Sequence, residues 1–320
     1  MNTESLRRWF RSLFLPSDRL FYLAVFRVLI GLILLCKILS FWPSTKFLFG
    51  AGGLFEYPDG SDTSLEFIPK SVIWDNLTLF YVVFASAVTL MVFGVGRRWT
   101  IAVVVICQEL HNDLNWIMLD GGDNLLQFSV LYLCFADSFS HLSLSKTRPT
   151  QEYAISHFFT NVAVAAIIAH ICLVYMVSGL SKAHADVWYS GTAMYYILLG
   201  ERFQGTTTWN AILANSALFN VAVCYTTIIW ESTFPFAVFV KRLRIPVLLM
   251  GVAMHLSIFV LMMIQSFQFI YIFHYGFFFT DAEWARFLAK ARSWLKLNSV
   301  FFEGVAATEG VAATDAPRSG

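Results

Sequence analysis

The sequence predicts an all-α, polytopic helical membrane protein with about eight transmembrane helices and cytoplasmic N- and C-termini. Three observations carry that expectation. The 320 residues are 58% hydrophobic and only 13% charged, against roughly 25% charged residues in soluble domains. Apolar runs near 20 residues recur, the length that crosses a bilayer as a helix. Basic residues alternate between the segments joining those runs, as the positive-inside rule requires.

The runs are 20–41, 74–95, 99–115, 121–138, 155–180, 212–238, 245–264 and 267–280. The last is short and follows its neighbour across only Gln265, Ser266 and Gln268, so whether those two are separate helices stays open. Segments on one side hold Arg7, Arg8, Arg11 and Arg19, then Arg97 and Arg98, Lys146 and Arg148, Lys241, Arg242 and Arg244, and five more beyond Asp281. The other side holds Lys46, Lys70, Lys182 and Arg202. Adding or dropping one span in mid-chain would destroy this alternation. It puts segments 42–73 and 181–211, and the acidic turn at 111–123, on the non-cytoplasmic side. Trp42, Trp74, Trp99, Trp188 and Trp209 fall near span ends, as an aromatic belt does.

Four regions result: a cytoplasmic segment 1–19, a membrane domain 20–280, an amphipathic surface helix over 281–300 and a tail over 301–320. Residues 281–297 read as a basic amphipathic helix. The tail repeats EGVAAT and reads as disordered. Residues 1–20 lack a signal-peptide pattern, so the first span is expected to stay in the mature chain. A net charge of +1 excludes a nucleic-acid binder on electrostatic grounds. Five cysteines lie singly in apolar runs and read as packing residues.

Ionisable residues within spans are functional candidates, because burying a charge costs at least ~2.5 kcal/mol. Arg27 and Glu231 each lie about seven residues from the cytoplasmic end of their spans, roughly 10 Å at 1.5 Å per residue. They are expected to pair at one depth, as a structural clamp or in a proton or substrate role. His255 is expected a turn or two above them. His170 is expected to bond a neighbouring helix, and Lys37 to snorkel to the interface. Asp120, Gly121, Gly122 and Asp123 form a polar mouth. They read as a turn with Asp123 at or near a helix N-cap, or as a ligand-binding turn. A metal on Asp120, Asp123, Asp113 and His111 would need a spacing that matches no ligand motif, so none is assigned.

Lys182 ends the long apolar run 155–180 and is followed by Asp186 and Trp188. On a continuous helix, Lys182 and Asp186 share a face. Either the lysine snorkels and pairs with that aspartate, or desolvation leaves a neutral amine that acts as a base.

Four stretches, FRVLIGLILL (26–35), LDGGDNLLQFSVLYLCF (119–135), YMVSGLSKAHADVWYSGTAMYYIL (175–198) and the WE…KRLRIP…MHLSIFVLM region (230–262), resemble the HTTM superfamily in order and spacing. That is the membrane domain shared by vitamin K-dependent γ-carboxylase and bacterial SdpB-like proteins of peptide-toxin maturation. The resemblance implies a lyase or carboxylase-like activity with a reduced quinone (a vitamin K-like hydroquinone) as cofactor. It implies Lys182 as the base; Asp120, Gly121, Gly122, Asp123, Asp186 and Trp188, read from their own chemistry and position, are the candidates for binding substrate or cofactor. The glycine–aspartate turn stands where the carboxylases have a histidine, so the resemblance is nearest to the SdpB-like branch. It implies a bacterial cytoplasmic membrane, a peptide substrate and a soluble partner subunit that recognises it. A non-catalytic scaffold or export factor is the competing expectation. A transporter is disfavoured by the lack of an inverted repeat.

Overall fold

The computed structural model describes residues 3–49, 53–54, 73, 75–115, 119–145, 154–201 and 205–295. Most of the loop expected over 42–73, and the tail over 301–320, lie outside them. The described residues are helical and contain no strand.

A short helix α1 (Thr3–Ser12) precedes α2 (Leu20–Phe41), which fills the first expected span. The N-terminus of α2 has no cap from its own flank. Asp281, far along the chain, accepts hydrogen bonds from Phe21 N (2.9 Å) and Tyr22 N (3.3 Å) instead. These are two of the orphan donors that every helix start leaves open. Past Trp42 and Pro43 the chain turns through α3 (Thr45–Phe49).

Next come α4 (Leu77–Phe93) and α5 (Arg97–Leu114). Gly94, at φ +69°, closes α4 in the left-handed conformation that glycine adopts without a Cβ clash. Helix α6 (Gly121–Phe135) leads to α7 (Ile155–His184), a 30-residue helix. Three short helices follow, α8 (Asp186–Tyr189), which packs on the end of α7, α9 (Ala193–Leu199) and α10 (Thr207–Ala214). Then follow α11 (Ala217–Ala237), α12 (Arg244–Met262) and α13 (Gln265–His274), the last two reversing at Met263 (φ +53°). A 3₁₀ turn, Tyr275–Phe278, leads to α14 (Asp281–Leu295), a helix within the segment 281–300.

Each of the eight expected segments therefore contains a helix. Among the described residues, by length and apolarity alone, three candidate spans qualify: Leu20–Phe49, Ile155–His184 and Arg244–Met262. The α10–α11 pair, bent by 89°, would add a fourth.

Sequence neighbours pack side by side from α2 through α4, α5, α6 and α7 to α11. Helix α13 then returns against α6 and α2 and closes the bundle. Fully buried Phe26, Ile30, Tyr81, Phe84, Leu126 and Phe277 lie at its centre. The outer faces are apolar as well: Leu218 is 82% exposed, and Leu249, Ile229 and Val260 each exceed half. Water would penalise such a surface and lipid does not.

Candidate functional site

Lys182 occupies the last turn of α7, and its partner is Glu231 of α11. Nζ donates to Oε2 at 2.7 Å and Oε1 at 3.0 Å, and to Ser178 Oγ, one turn earlier, at 2.5 Å. All three ammonium N–H groups are thereby used. The lysine side chain is 21% exposed and that of Glu231 only 8%. The Trp188 ring lies 5.2 Å from Nζ, within cation–π reach. Gly179 lets the helices approach this closely. A Cβ there would stand 2.6 Å from Ser232 N and 2.9 Å from Glu231 Cβ.

This arrangement corrects two expectations. Lys182 does not pair with Asp186, because α7 ends at His184 and Ala185 is extended (φ −88°, ψ 122°). Asp186 instead opens α8, which carries Trp188 over the ammonium. Glu231 does not pair with Arg27 either. Arg27 is fully buried and donates to backbone carbonyls: Met91 at 2.5 Å, Val92 at 3.4 Å, Ser138 at 3.1 Å and Leu142 at 2.5 Å. The first two belong to the last turn of α4, where carbonyls are orphaned and the helix dipole favours a cation. The guanidinium also lies 4.9 Å from the Phe139 ring centre.

His255 is not stacked above an Arg27–Glu231 pair. It joins a buried chain of polar groups, with Nε2 2.6 Å from Tyr175 Oη and Nδ1 2.5 Å from Gln268 Oε1. Tyr175 Oη is in turn 2.6 Å from Tyr275 Oη. His170 meets the neighbouring helix α6, as expected, through Tyr132 Oη (3.5 Å) and the edge of Phe128.

The polar mouth is a reciprocal capping box. Asp120 is the N-cap of α6 and accepts from Gly122 N (2.7 Å) and Asp123 N (3.1 Å), while Asp123 accepts from Asp120 N (3.1 Å). The cap therefore sits three residues before the position expected for it. Asp123, itself buried, also forms an ion pair with the partly exposed Lys37 of α2. Lys37 thus holds two helices together rather than reaching only for the interface. Gly121 and Gly122 admit Phe267 of α13; a Cβ on Gly122 would stand 3.0 Å from Phe267 Cα.

Tyr271 stands between the two polar groups of residues and was not singled out by sequence. Its ring stacks on Phe267 (4.5 Å between centroids) and approaches His255 (5.0 Å) and Tyr175 (5.6 Å). Its hydroxyl faces Gly121. One tyrosine in the aromatic run at 267–279 gives no periodic signal that separates it from its neighbours. Among the described residues no group of three or more His, Cys, Asp or Glu side chains could hold a metal, and all five cysteines are free.

Helical segments long and apolar enough to cross a bilayer, a lipid-compatible exterior and a partly buried lysine–glutamate pair define an α-helical membrane protein. The HTTM domain matches residues 16–284, and the chain belongs to the HTTM domain family. It is accordingly a membrane protein related to the vitamin K-dependent carboxylases. Comparison with curated proteins gives no match, and comparison with solved structures gives none.

Proposed function

We propose that this protein is a membrane-embedded enzyme that modifies or matures a peptide at the non-cytoplasmic face, with Lys182 as its base and Glu231 as proton acceptor. The observation that supports it is the Lys182–Glu231 pair: a nearly buried carboxylate bonded to a lysine that keeps some access to the outside. In the resting pair the amine has no lone pair to offer. Transfer of one proton from Nζ to Glu231 Oε2 frees that lone pair, and Nζ can then take a proton from the substrate. The pair ends as ammonium and carboxylic acid, one proton richer, and faces the anion it has generated.

The same donor set suits a reduced quinone, the cofactor implied by the family resemblance. Lys182 would meet its hydroxyl and the flat Trp188 indole would line one side. When bound, such a group supplies an acidic hydroxyl and reducing equivalents. Asp120 and Asp123 lie in the mouth beyond Tyr271, and a soluble partner subunit would present the peptide there. The loop charges support eight spans, a multi-pass topology and cytoplasmic termini, with Lys182 outside, and the resemblance to SdpB-like proteins supports a bacterial cytoplasmic membrane.

Glu231→Gln tests the proposal, because the amide keeps the shape and cannot receive the proton. We expect the variant to insert normally and to lose the peptide mass change that the wild type produces in cells, read by comparative peptide mass spectrometry. A mass change of wild-type size would contradict the role given to Glu231.

A second reading is favoured by the saturation of the ammonium. A lysine with all three N–H groups engaged is also what a structural clamp between α7 and α11 requires. The protein would then be a non-catalytic scaffold or an SdpB-like maturation or export factor, and Lys182 would matter only for assembly.

A further inference from the structure

A second site lies along α2, beside the 120–123 turn to which Lys37 is paired. A cavity of about 700 Å³ runs along α2 from Leu29 to Ser40, on the order of 16 Å at 1.5 Å per residue. Its long wall is apolar, with Leu29, Leu32, Phe259 and Phe273 among its lining. Leu32 is 44% exposed, so the groove opens toward the lipid side. Its polar end is built from Lys37, His111 and Asn115.

Two groups at that end have unused capacity among the described residues. Lys37 gives one N–H to Asp123 and has two more. Asn115 is only 8% exposed, and its buried Oδ1 has no hydrogen-bond partner. A buried acceptor without a donor is costly. Asn115 also caps the C-terminus of α5, where the helix dipole favours a positive charge. The polar end thus presents a cation and, beside it, a site that attracts one. Lys37 and Ser40 lie in the last turns of α2 just before Trp42, the level at which interfacial residues and lipid phosphates meet.

We infer that this groove holds a bilayer phospholipid with an ethanolamine headgroup. One acyl chain lies along α2, the phosphate oxygens accept from Lys37 Nζ, and the ammonium donates to Asn115 Oδ1. With Asp123 opposite Lys37, the four charges balance. A choline headgroup carries the same charges but no N–H donor, so the site discriminates against it.

The test offers the full-length protein equal amounts of ethanolamine and choline phospholipids with identical chains in nanodiscs. Retained lipid is read by native mass spectrometry. The wild type should retain the ethanolamine lipid about tenfold over the choline lipid, the scale of one hydrogen bond to a charged group. Asn115→Leu should abolish the preference, Asn115→Asp should increase it, and Cys36→Trp, which fills the groove, should retain neither lipid. Equal retention by the wild type, a preference unchanged in Asn115→Leu, or retention of a prenylated quinol in place of the phospholipid would overturn the inference.

Discussion

Arg27 and Lys182 are both cations inside the bundle, and different partners neutralise them. A guanidinium offers five N–H groups in a rigid fork, and Arg27 spends them on carbonyls at the end of α4 and in the segment after α6. Lys182, a compact ammonium, meets a carboxylate. Depth counting along the sequence put Arg27 opposite Glu231. It failed because it assumes equally tilted, straight spans and ignores backbone carbonyls as partners. Lys182 was legible as the cation with a purpose, since it ends an apolar run; its partner, 49 residues on, was not. Arg27→Met should lower stability by about 3 kcal/mol, because it leaves several buried carbonyls without a donor. Arg27→Lys should recover little of it, since one ammonium does not span all of them. Thermal unfolding of the purified protein checks both.

At the scale of elements, each apolar run in the sequence became a helix, since twenty apolar residues in lipid have no other way to satisfy their backbone. Breaks were less legible. The ends of α7 at Ala185 and of α12 at Met263 depend on what packs over them. Hydropathy is blind to that. The amphipathic pattern of α14 was plain in the sequence, but its job was not: Asp281 caps α2. Burial pushes the Asp281 carboxyl up to about 6, against the opposing effect of the Phe21 and Tyr22 N–H bonds. A carboxyl whose pKa rises on folding binds its proton more tightly in the folded state. Its contribution is therefore fully present below about pH 4, the ordinary aspartate range, and is lost as pH rises through about 6. Asp281→Asn should flatten that decline between pH 4 and 6 in a pH series of unfolding midpoints. An identical slope in the variant would show that the decline has another source.

For the whole molecule, the family and the all-helical class were readable from composition and from four short stretches, while the assembly of the site was not. Tyr271, His255 and Glu231 come from three helices that only tertiary packing brings near Lys182 and the 120–123 turn. The charge pattern predicts a fixed orientation. A cysteine at Asp186 should react with an impermeant maleimide from outside the cell. A cysteine at Lys290 should react only after permeabilisation. The reverse pattern would invert the site relative to the cell.

The most direct measurement of the central claim is the peptide mass change produced by Lys182→Arg. Arginine preserves the charge and the ion pair with Glu231, but it does not give up its proton. If Lys182 is the base, the variant is inserted, folds with wild-type stability and leaves the peptide unmodified. If the pair is only a clamp, the variant modifies the peptide as the wild type does, and the catalytic assignment of Lys182 is wrong.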